Sequence, residues 1–189
     1  MPLNVSEFQQ QLQGQGARAS LFEVQLAFPG TVAGRGNAEL KSRFMVRAAQ
    51  LPGSTVSIMP VFYQGREVKL AGDRTFDTWA TTIINDEDFA IRTSIEDWMQ
   101  QINAHEGNIR SLAQYKTPEM TVSQLNKQGQ IIRSYNFINV WPTDLGPIDL
   151  DWSNQNVIEE FGCAWSYDYW TVGANGAQAG LTVNASINL

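Results

Sequence analysis

A strict alternation of side chains near the end of the chain constrains the fold more than any other feature. One set of alternate positions is apolar or aromatic (Val157, Phe161, Cys163, Trp165, Tyr167 and Tyr169), and the positions between them are small or polar (Glu160, Gly162, Ala164, Ser166 and Asp168). A period of two places successive side chains on opposite faces of a β-strand. The pattern therefore predicts one long strand with a single face in the core.

Further segments of the chain have strand character. They are Leu21 to Phe28, Thr55 to Tyr63, Arg66 to Ala71, Trp79 to Ile84, Glu119 to Leu125 and Gln130 to Val140. Two pairs of these segments are joined by short connections that contain glycine, Gln64-Gly65 and Asn126 to Gly129. Such connections are typical of β-hairpins, so we expect an antiparallel sheet.

One segment has the helical period instead. Ile91, Ile95, Trp98, Met99 and Ile102 form a single apolar stripe on a helix at about residues 89–106. Carboxylates at 86–88 suit the positive end of the helix dipole. The predicted fold class is mainly β, an antiparallel β-barrel or sandwich with one flanking amphipathic α-helix.

The chain has the length of one domain. We find no internal repeat in the 189 residues and assign 1–189 to a single domain. Residues 1–19 are rich in Gln and Gly and are expected to form an extended or mobile arm. Residues 30–50 are expected to be a long polar connection, Leu51-Pro-Gly53 a tight turn, and residues 173–189 a Gly/Ala/Asn-rich extension.

Charge and hydropathy exclude two function classes. The net charge is −6, the isoelectric point is about 4.7, and the 13 basic residues are scattered. A protein whose main work is to grip nucleic-acid phosphates needs clustered Lys and Arg. No window approaches the roughly 18 apolar residues that span a bilayer, and the start of the chain lacks a secretory signal. We therefore expect that the protein is not anchored in a membrane. We also expect that it is synthesised in a reducing cytoplasm.

The residues that carry most catalytic and metal chemistry are scarce. His105 and Cys163 are the only histidine and cysteine, and Cys163 lies on an apolar strand face where a thiol is inert. Asp149 and Asp151 resemble a glycosidase acid and base, but turn-rich sequence surrounds them, and Asp is favoured there for bonding local backbone. We expect no catalytic residue, no metal site and no cofactor.

The six tryptophans divide into two groups. Periodicity places Trp79, Trp98 and Trp165 in the core. Trp141, Trp152 and Trp170 lie at strand ends or in loops, where they suit a subunit contact, a sugar or the rim of the core equally well. With Leu51, Pro52 and Gly53, these three are our candidate subunit contacts.

Several short motifs occur in the order and spacing of a known family. They are Leu51-Pro-Gly53, Tyr63-Gln-Gly-Arg-Glu67, the stretch from Ala71 to Phe89, the helix with Trp98 and Ile102-Asn103, and Gly107-Asn-Ile-Arg110. From about Leu21 to Val172, the chain resembles the tail tube proteins of contractile-tailed bacteriophages.

The resemblance implies a function in assembly. A subunit of this family is a β-barrel with a flanking helix, and copies form hexameric rings in which the sheets join. The rings stack into a tube through which DNA passes during genome ejection. Tail sheath and baseplate proteins are the implied further partners, DNA is present only in passage, and the location is the virion tail after assembly in the host cytoplasm. The implied protein is structural and not an enzyme.

Alternation on the strand near residue 120 suggests which residues face the channel. Thr117, Glu119, Thr121 and Ser123 share the face opposite Met120 and Val122, and they are our candidate lumen face.

Two further hypotheses stay open. A tube-initiator or baseplate component, or the tube protein of another contractile injection system, shares the implied fold. A carbohydrate-binding β-sandwich that uses Trp152 and Trp170 belongs to another class.

Overall fold

The computed structural model describes residues 5–12, 16–110, 115–153 and 155–173. Along the chain the elements are α1 Val5–Gln11, β1 Phe22–Gln25, α2 Arg35–Met45, β2 Val46–Ala49, β3 Thr55–Tyr63, β4 Arg66–Thr75, β5 Trp79–Ile84, α3 Ala90–Ile102, β6 Thr117–Leu125, β7 Ile131–Leu145, β8 Glu160–Ser166 and β9 Tyr169–Val172. The mainly antiparallel β class predicted from the sequence is confirmed. The C-terminal extension from residue 174 onward lies outside the described residues.

Seven strands form one antiparallel sheet in the order β1-β6-β7-β8-β5-β2, and β9 also pairs with β7. Strand β7 pairs with β6 through its first part and with β8 through its last part. A bulge between Pro142 and Asp144 disturbs the register of β7 and β8. The outermost strands of the sheet, β1 and β2, come into contact. The sheet is therefore rolled round one core.

The alternating segment at residues 157–169, expected to be one long strand, forms two strands instead. Ile138 pairs with Tyr169 and Trp141 pairs with Ser166, so β8 and β9 lie end to end along β7. The break falls opposite Asn139, whose φ is 57°. A residue in the left-handed region turns the β7 backbone, and the partner strand cannot remain regular beside it. Val157, expected on the buried face, precedes β8 and is exposed.

The core contains three tryptophans whose ring nitrogens all have partners. Trp79 donates to the Gln50 carbonyl oxygen at 2.9 Å, Trp98 to the Tyr115 carbonyl oxygen at 2.7 Å and Trp165 to the Thr81 hydroxyl at 3.0 Å. Each large side chain is thus buried without an unpaired N–H group. The stripe of α3 that packs on this core has Ile91, Ile95 and Trp98 fully buried and Met99 and Ile102 partly buried. The predicted helix is confirmed at residues 90–102.

The expectation of a single helix was wrong, since the described residues contain three. Helix α2 and strand β2 occupy the segment expected to be a polar connection. The buried side chains of α2 are Ala38 and Ser42, which are small, so they give almost no hydrophobic periodicity. Helix α1 lies within the predicted arm and has no buried residue.

Helix α2 packs beside the segment that follows β1, on the side where that segment has no neighbouring strand. The Leu26 N–H donates to the Ser42 hydroxyl at 3.1 Å, and the Phe28 N–H donates to the Glu39 carboxylate at 3.1 Å. These bonds satisfy backbone donors that a neighbouring strand would otherwise have to satisfy.

Lys41 joins α2 to the start of α3. Its ammonium contacts Asp86 at 2.6 Å and also pairs with Asp88. The hydrogen bonds from Lys41 lower the pKa of both carboxyl groups. Asp88 also accepts from the Ala90 N–H at 3.1 Å and so satisfies one free donor at the start of α3, whereas the N-cap residue itself, Phe89, makes no side-chain cap bond.

Strands β3 and β4 pair only with each other. Gln64 and Gly65 at their turn have φ of 47° and 78°, as a two-residue hairpin turn requires, and the predicted hairpin is confirmed. Apart from the half-buried Gly72, every residue of the two strands is exposed. The hairpin is about 30 Å long and has little support from the rest of the subunit.

Replacing Ser42 with Ala should destabilise the fold by removing the acceptor for the Leu26 N–H. Because Ser42 is 0% exposed, water cannot replace the hydroxyl, and the free energy of unfolding should fall by about 1–3 kcal/mol. Chemical denaturation of this variant and of Thr93→Ala, at an exposed position of α3, provides the comparison. Equal stability of Ser42→Ala and the wild type would show that the bond is unimportant.

A comparison of two valines, one in the core and one on the hairpin, tests whether the hairpin contributes to the stability of the subunit. Val122 of β6 is 1% exposed, so Val122→Ala should lower the free energy of unfolding by about 2 kcal/mol. Val61 of β3 is 43% exposed on an unsupported hairpin, so Val61→Ala should lower it by less than about 0.5 kcal/mol. Thermal or chemical unfolding of the free subunit measures both. A large loss for Val61→Ala would mean that the hairpin contributes to the core.

Candidate functional site

The side chains considered for catalysis do not form a reactive centre. No group of three or more His, Cys, Asp or Glu within the described ranges is arranged to hold a metal ion. Cys163 is 3% exposed, and burial raises the pKa of its thiol. His105 is exposed near the end of α3, so the two residues do not form a nucleophile and base.

One of the two carboxylates that resembled a glycosidase pair, Asp151, is involved in a local turn. Asp151 accepts from the Ser153 N–H at 2.9 Å and from the Ser153 hydroxyl at 2.7 Å. These two bonds lower the pKa of the Asp151 carboxyl group and hold it ionised in the loop. The carboxylate therefore stabilises the turn, as Asp commonly does.

None of the helices in the described part of the chain has the length and hydropathy to cross a bilayer.

The structure separates the three tryptophans that were candidate subunit contacts. Trp141 is half-buried and packs edge-on against Tyr115, with ring centroids 5.8 Å apart. Trp170 is half-buried against Tyr135 and donates its ring N–H to the Gly53 carbonyl oxygen at 3.1 Å. Trp152 is 102% exposed. Among the three, only Trp152 leaves its whole side chain free for a partner.

Leu51, Pro52 and Gly53 lie in the connection between β2 and β3, at the foot of the hairpin. Leu51 is 48% exposed, Pro52 is half-buried, and Gly53 is held by Trp170. The role of this connection in subunit contact stays a prediction. The proposed sugar platform of Trp152 and Trp170 loses its second ring, because Trp170 packs against the fold.

The candidate lumen face is only partly accessible. Thr117 is 1% and Ser123 is 5% exposed, so the subunit itself covers them, whereas Thr121 is half-buried and Glu119 is exposed. Ser123 lies in the sheet interior between Glu23 of β1 and Ser134 of β7. Glu119 and Thr121 border an open hollow whose other side is formed by Glu39, Leu40 and Arg43 of α2. Whether this hollow faces a channel stays a prediction.

Exposed apolar side chains occur at helix α1, namely Val5, Phe8 and Leu12, and are grouped on three further surfaces. The first is the β3–β4 hairpin, where Val56, Ile58, Met59, Val61, Phe62, Tyr63, Val68 and Leu70 are between 43% and 73% exposed. The second is the outer side of α2, where Leu40 and Phe44 are 69% and 82% exposed. The third is the loop of residues 146–159, where Leu150, Trp152, Val157 and Ile158 are exposed. Apolar surface grouped in this way marks interaction sites.

The sequence indicates the hairpin but not, through single turn motifs, its exposure. A signal was present in β3, where both Met59 and Val61 on one face and Ile58 and Phe62 on the other are apolar. Strands with one solvated face alternate apolar and polar residues. An apolar run on both faces of a strand therefore indicates that both faces meet something.

Comparison with known proteins places this arrangement in a family. The family model described as "Phage tail tube protein" matches residues 17–173. The tail tube protein gp19 of Enterobacteria phage T4 is 32% identical over 160 residues, which cover 83% of this chain and 92% of that protein. The tail tube protein of Serratia phage KSP90 is 29% identical over 104 residues, which cover 54% of this chain and 59% of that protein.

Solved structures share the fold at lower identity. A chain of the tube-terminating cap of the anti-feeding prophage has a TM-score of 0.60 at 16% identity, covering 83% of this chain and 90% of that chain. A chain of the sheath-tube complex of an extracellular contractile injection system has a TM-score of 0.55 at 15% identity, covering 87% and 96%. The rolled sheet, the flanking helix and the family match agree, and the chain belongs to the phage tail tube protein family.

Proposed function

We propose that this chain is a non-enzymatic structural subunit of a phage tail tube. Copies associate into hexameric rings, and the rings stack to enclose a channel for DNA delivery. The family match and the relatives named tail tube protein support the role, and the ring number follows the family resemblance. Assembly in the host cytoplasm, followed by residence in the virion tail with sheath and baseplate partners, belongs to the same proposal.

The observation that carries this proposal is the unsupported β3–β4 hairpin. Eight large apolar side chains on it are exposed, and no strand outside the hairpin pairs with it within the described residues. Burial of these side chains against a second copy would stabilise an assembly by on the order of 5–10 kcal/mol per copy before the cost of association. In a monomer this apolar surface would stay exposed to water and would contribute nothing to stability.

The charge of the chain suits a channel that lets DNA pass. With a net charge of −6, the subunit contributes few sites that would retain phosphates. We place Glu119 and Thr121, the accessible members of the candidate face, at the channel wall. An acidic wall repels the DNA backbone and keeps it moving.

Charged substitutions on the hairpin test assembly through it. Val61 and Val68 are opposite each other on the two strands, so the double substitution Val61→Glu/Val68→Glu places two charges on one apolar face. We expect a folded monomer by circular dichroism and ultracentrifugation, without tubes on electron microscopy grids at concentrations where the wild type forms them. Thr93→Glu, on the exposed side of α3, is the control and should assemble.

Two results would contradict this proposal. One is a wild-type protein that stays monomeric at high concentration and is absent from the tail tube of virions. The other is normal tube formation by the double variant.

A charged substitution at Glu119 tests the channel wall. In virions that carry Glu119→Lys, assembly should be retained, because Glu119 is exposed on the subunit. DNA ejection should become slower, and the delay should shrink as salt is raised, because new Lys–phosphate contacts are screened. Ejection rates measured over a range of salt test this, with Glu119→Gln as the uncharged control. Ejection at the wild-type rate would remove Glu119 from the wall.

A further inference from the structure

Two of the apolar surfaces lie at opposite ends of the sheet. The hairpin leaves the body beside Trp79, since β2 leads into it and β5 begins directly after it. The loop of residues 146–159 joins β7 to β8 at the other end of β5, where Ile84 pairs with Glu160 and the Asn85 N–H donates to the Glu159 carbonyl oxygen at 2.8 Å. Six residues of β5 separate these ends, a distance of about 20 Å.

The 146–159 loop offers a hollow beside its apolar side chains. The hollow has a volume of about 400 Å³ and is lined by both walls of the loop, including Ile148, Leu150, Val157 and Ile158. Arg47 and Glu160, which pair with each other, form its floor near β8. The tip of the hairpin carries Phe62 and Tyr63, which are 73% and 69% exposed. The lining of the hollow alternates these apolar side chains with charged ones, so it suits an aromatic ring with a polar end, such as Tyr63.

The two surfaces are also opposite in charge. The hairpin carries Arg66, Lys69 and Arg74 against Glu67 and Asp73, whereas the loop carries Asp149, Asp151 and Glu159 and has no Lys or Arg. Within the described residues, none of Arg66, Lys69 and Asp149 takes part in an ion pair. Unpaired charges of opposite sign at the two ends favour an approach of one end to the other.

We propose that the 146–159 loop of one copy receives the tip of the β3–β4 hairpin of a second copy. The proposal rests on the tube function above and names the contact that propagates the tube. An aromatic side chain of the tip enters the hollow, and Arg66 meets the carboxylates of Asp149 and Asp151. Because donor and acceptor are at opposite ends of the subunit, the contact is head-to-tail and does not close on a pair. Each docked copy leaves one free hairpin and one free loop, so copies add along the axis.

Cysteine cross-linking tests this contact directly. Wild-type protein contains only the buried Cys163, so it supplies the unreactive background. We would mix Tyr63→Cys with Leu150→Cys, assemble tubes and add a short bifunctional maleimide. The expected product is a dimer that contains one copy of each variant, confirmed by peptide mass spectrometry. A mixture of Tyr63→Cys with Phe44→Cys, on the outer side of α2, should give no such product.

The outcomes distinguish this inference from the proposed function. Tubes in which Tyr63→Cys links to Phe44→Cys and not to Leu150→Cys would overturn the loop as the receptor while the tube function stands. Wild-type protein that forms no tube under any condition, and is absent from virion tubes, would instead remove the function itself.

Charge reversal gives a second readout. Arg66→Asp and Asp149→Arg should each lower the yield of tubes about tenfold, and the combination should restore most of it. Arg74→Asp, at the foot of the same hairpin, is the matched control and should change the yield far less. Failure of the combination to restore assembly, with both single variants folded, would contradict direct contact between the two positions.

Discussion

Strand β7 is the constraint on which the rest of the structure depends. Its 15 residues pair with β6 on one side and with β8 and β9 on the other, and the backbone turns at Asn139 between these partners. This turn rolls the sheet, brings β1 and β2 together and encloses the tryptophan-rich core beneath α3. The same strand fixes the two ends of the subunit, because β8 holds β5 in register. The hairpin and the 146–159 loop therefore project from opposite ends of a rigid body.

The sequence predicted the elements whose large apolar side chains face the core. Strand β5 matches its expected bounds, and the stripe of α3 packs as its period indicated. Helix α2 was missed because its buried residues are Ala38 and Ser42, and its role is to accept backbone hydrogen bonds, which leave no hydrophobic pattern. The division of the last strand into β8 and β9 depends on Asn139, which is distant in sequence. Local sequence patterns cannot reveal structural features that are set by contacts with residues distant in the sequence.

The candidate site shows the same division. Trp152, a candidate subunit contact, is fully exposed, and its role in contact stays a prediction. The exposure of Trp170 and Thr117 depends on packing that only the fold reveals. The alternation of polar and apolar residues along β6 indicates that Thr117, Glu119, Thr121 and Ser123 share a face. It does not indicate what packs on that face. Thr117 and Ser123 are covered within the subunit. The β3–β4 hairpin is the opposite case. Its side chains are apolar, as in a protein core, but within the subunit they are exposed to solvent.

We expect the β3–β4 hairpin to become fully packed only in the assembly. Hydrogen exchange of the backbone amides in the free subunit and in assembled tubes measures this most directly. Amides of β3 and β4 should exchange rapidly in the free subunit and become strongly protected in tubes, while those of β5 should be protected in both. Equal protection of the hairpin in the two states, whether high or low, would show that assembly does not bury it.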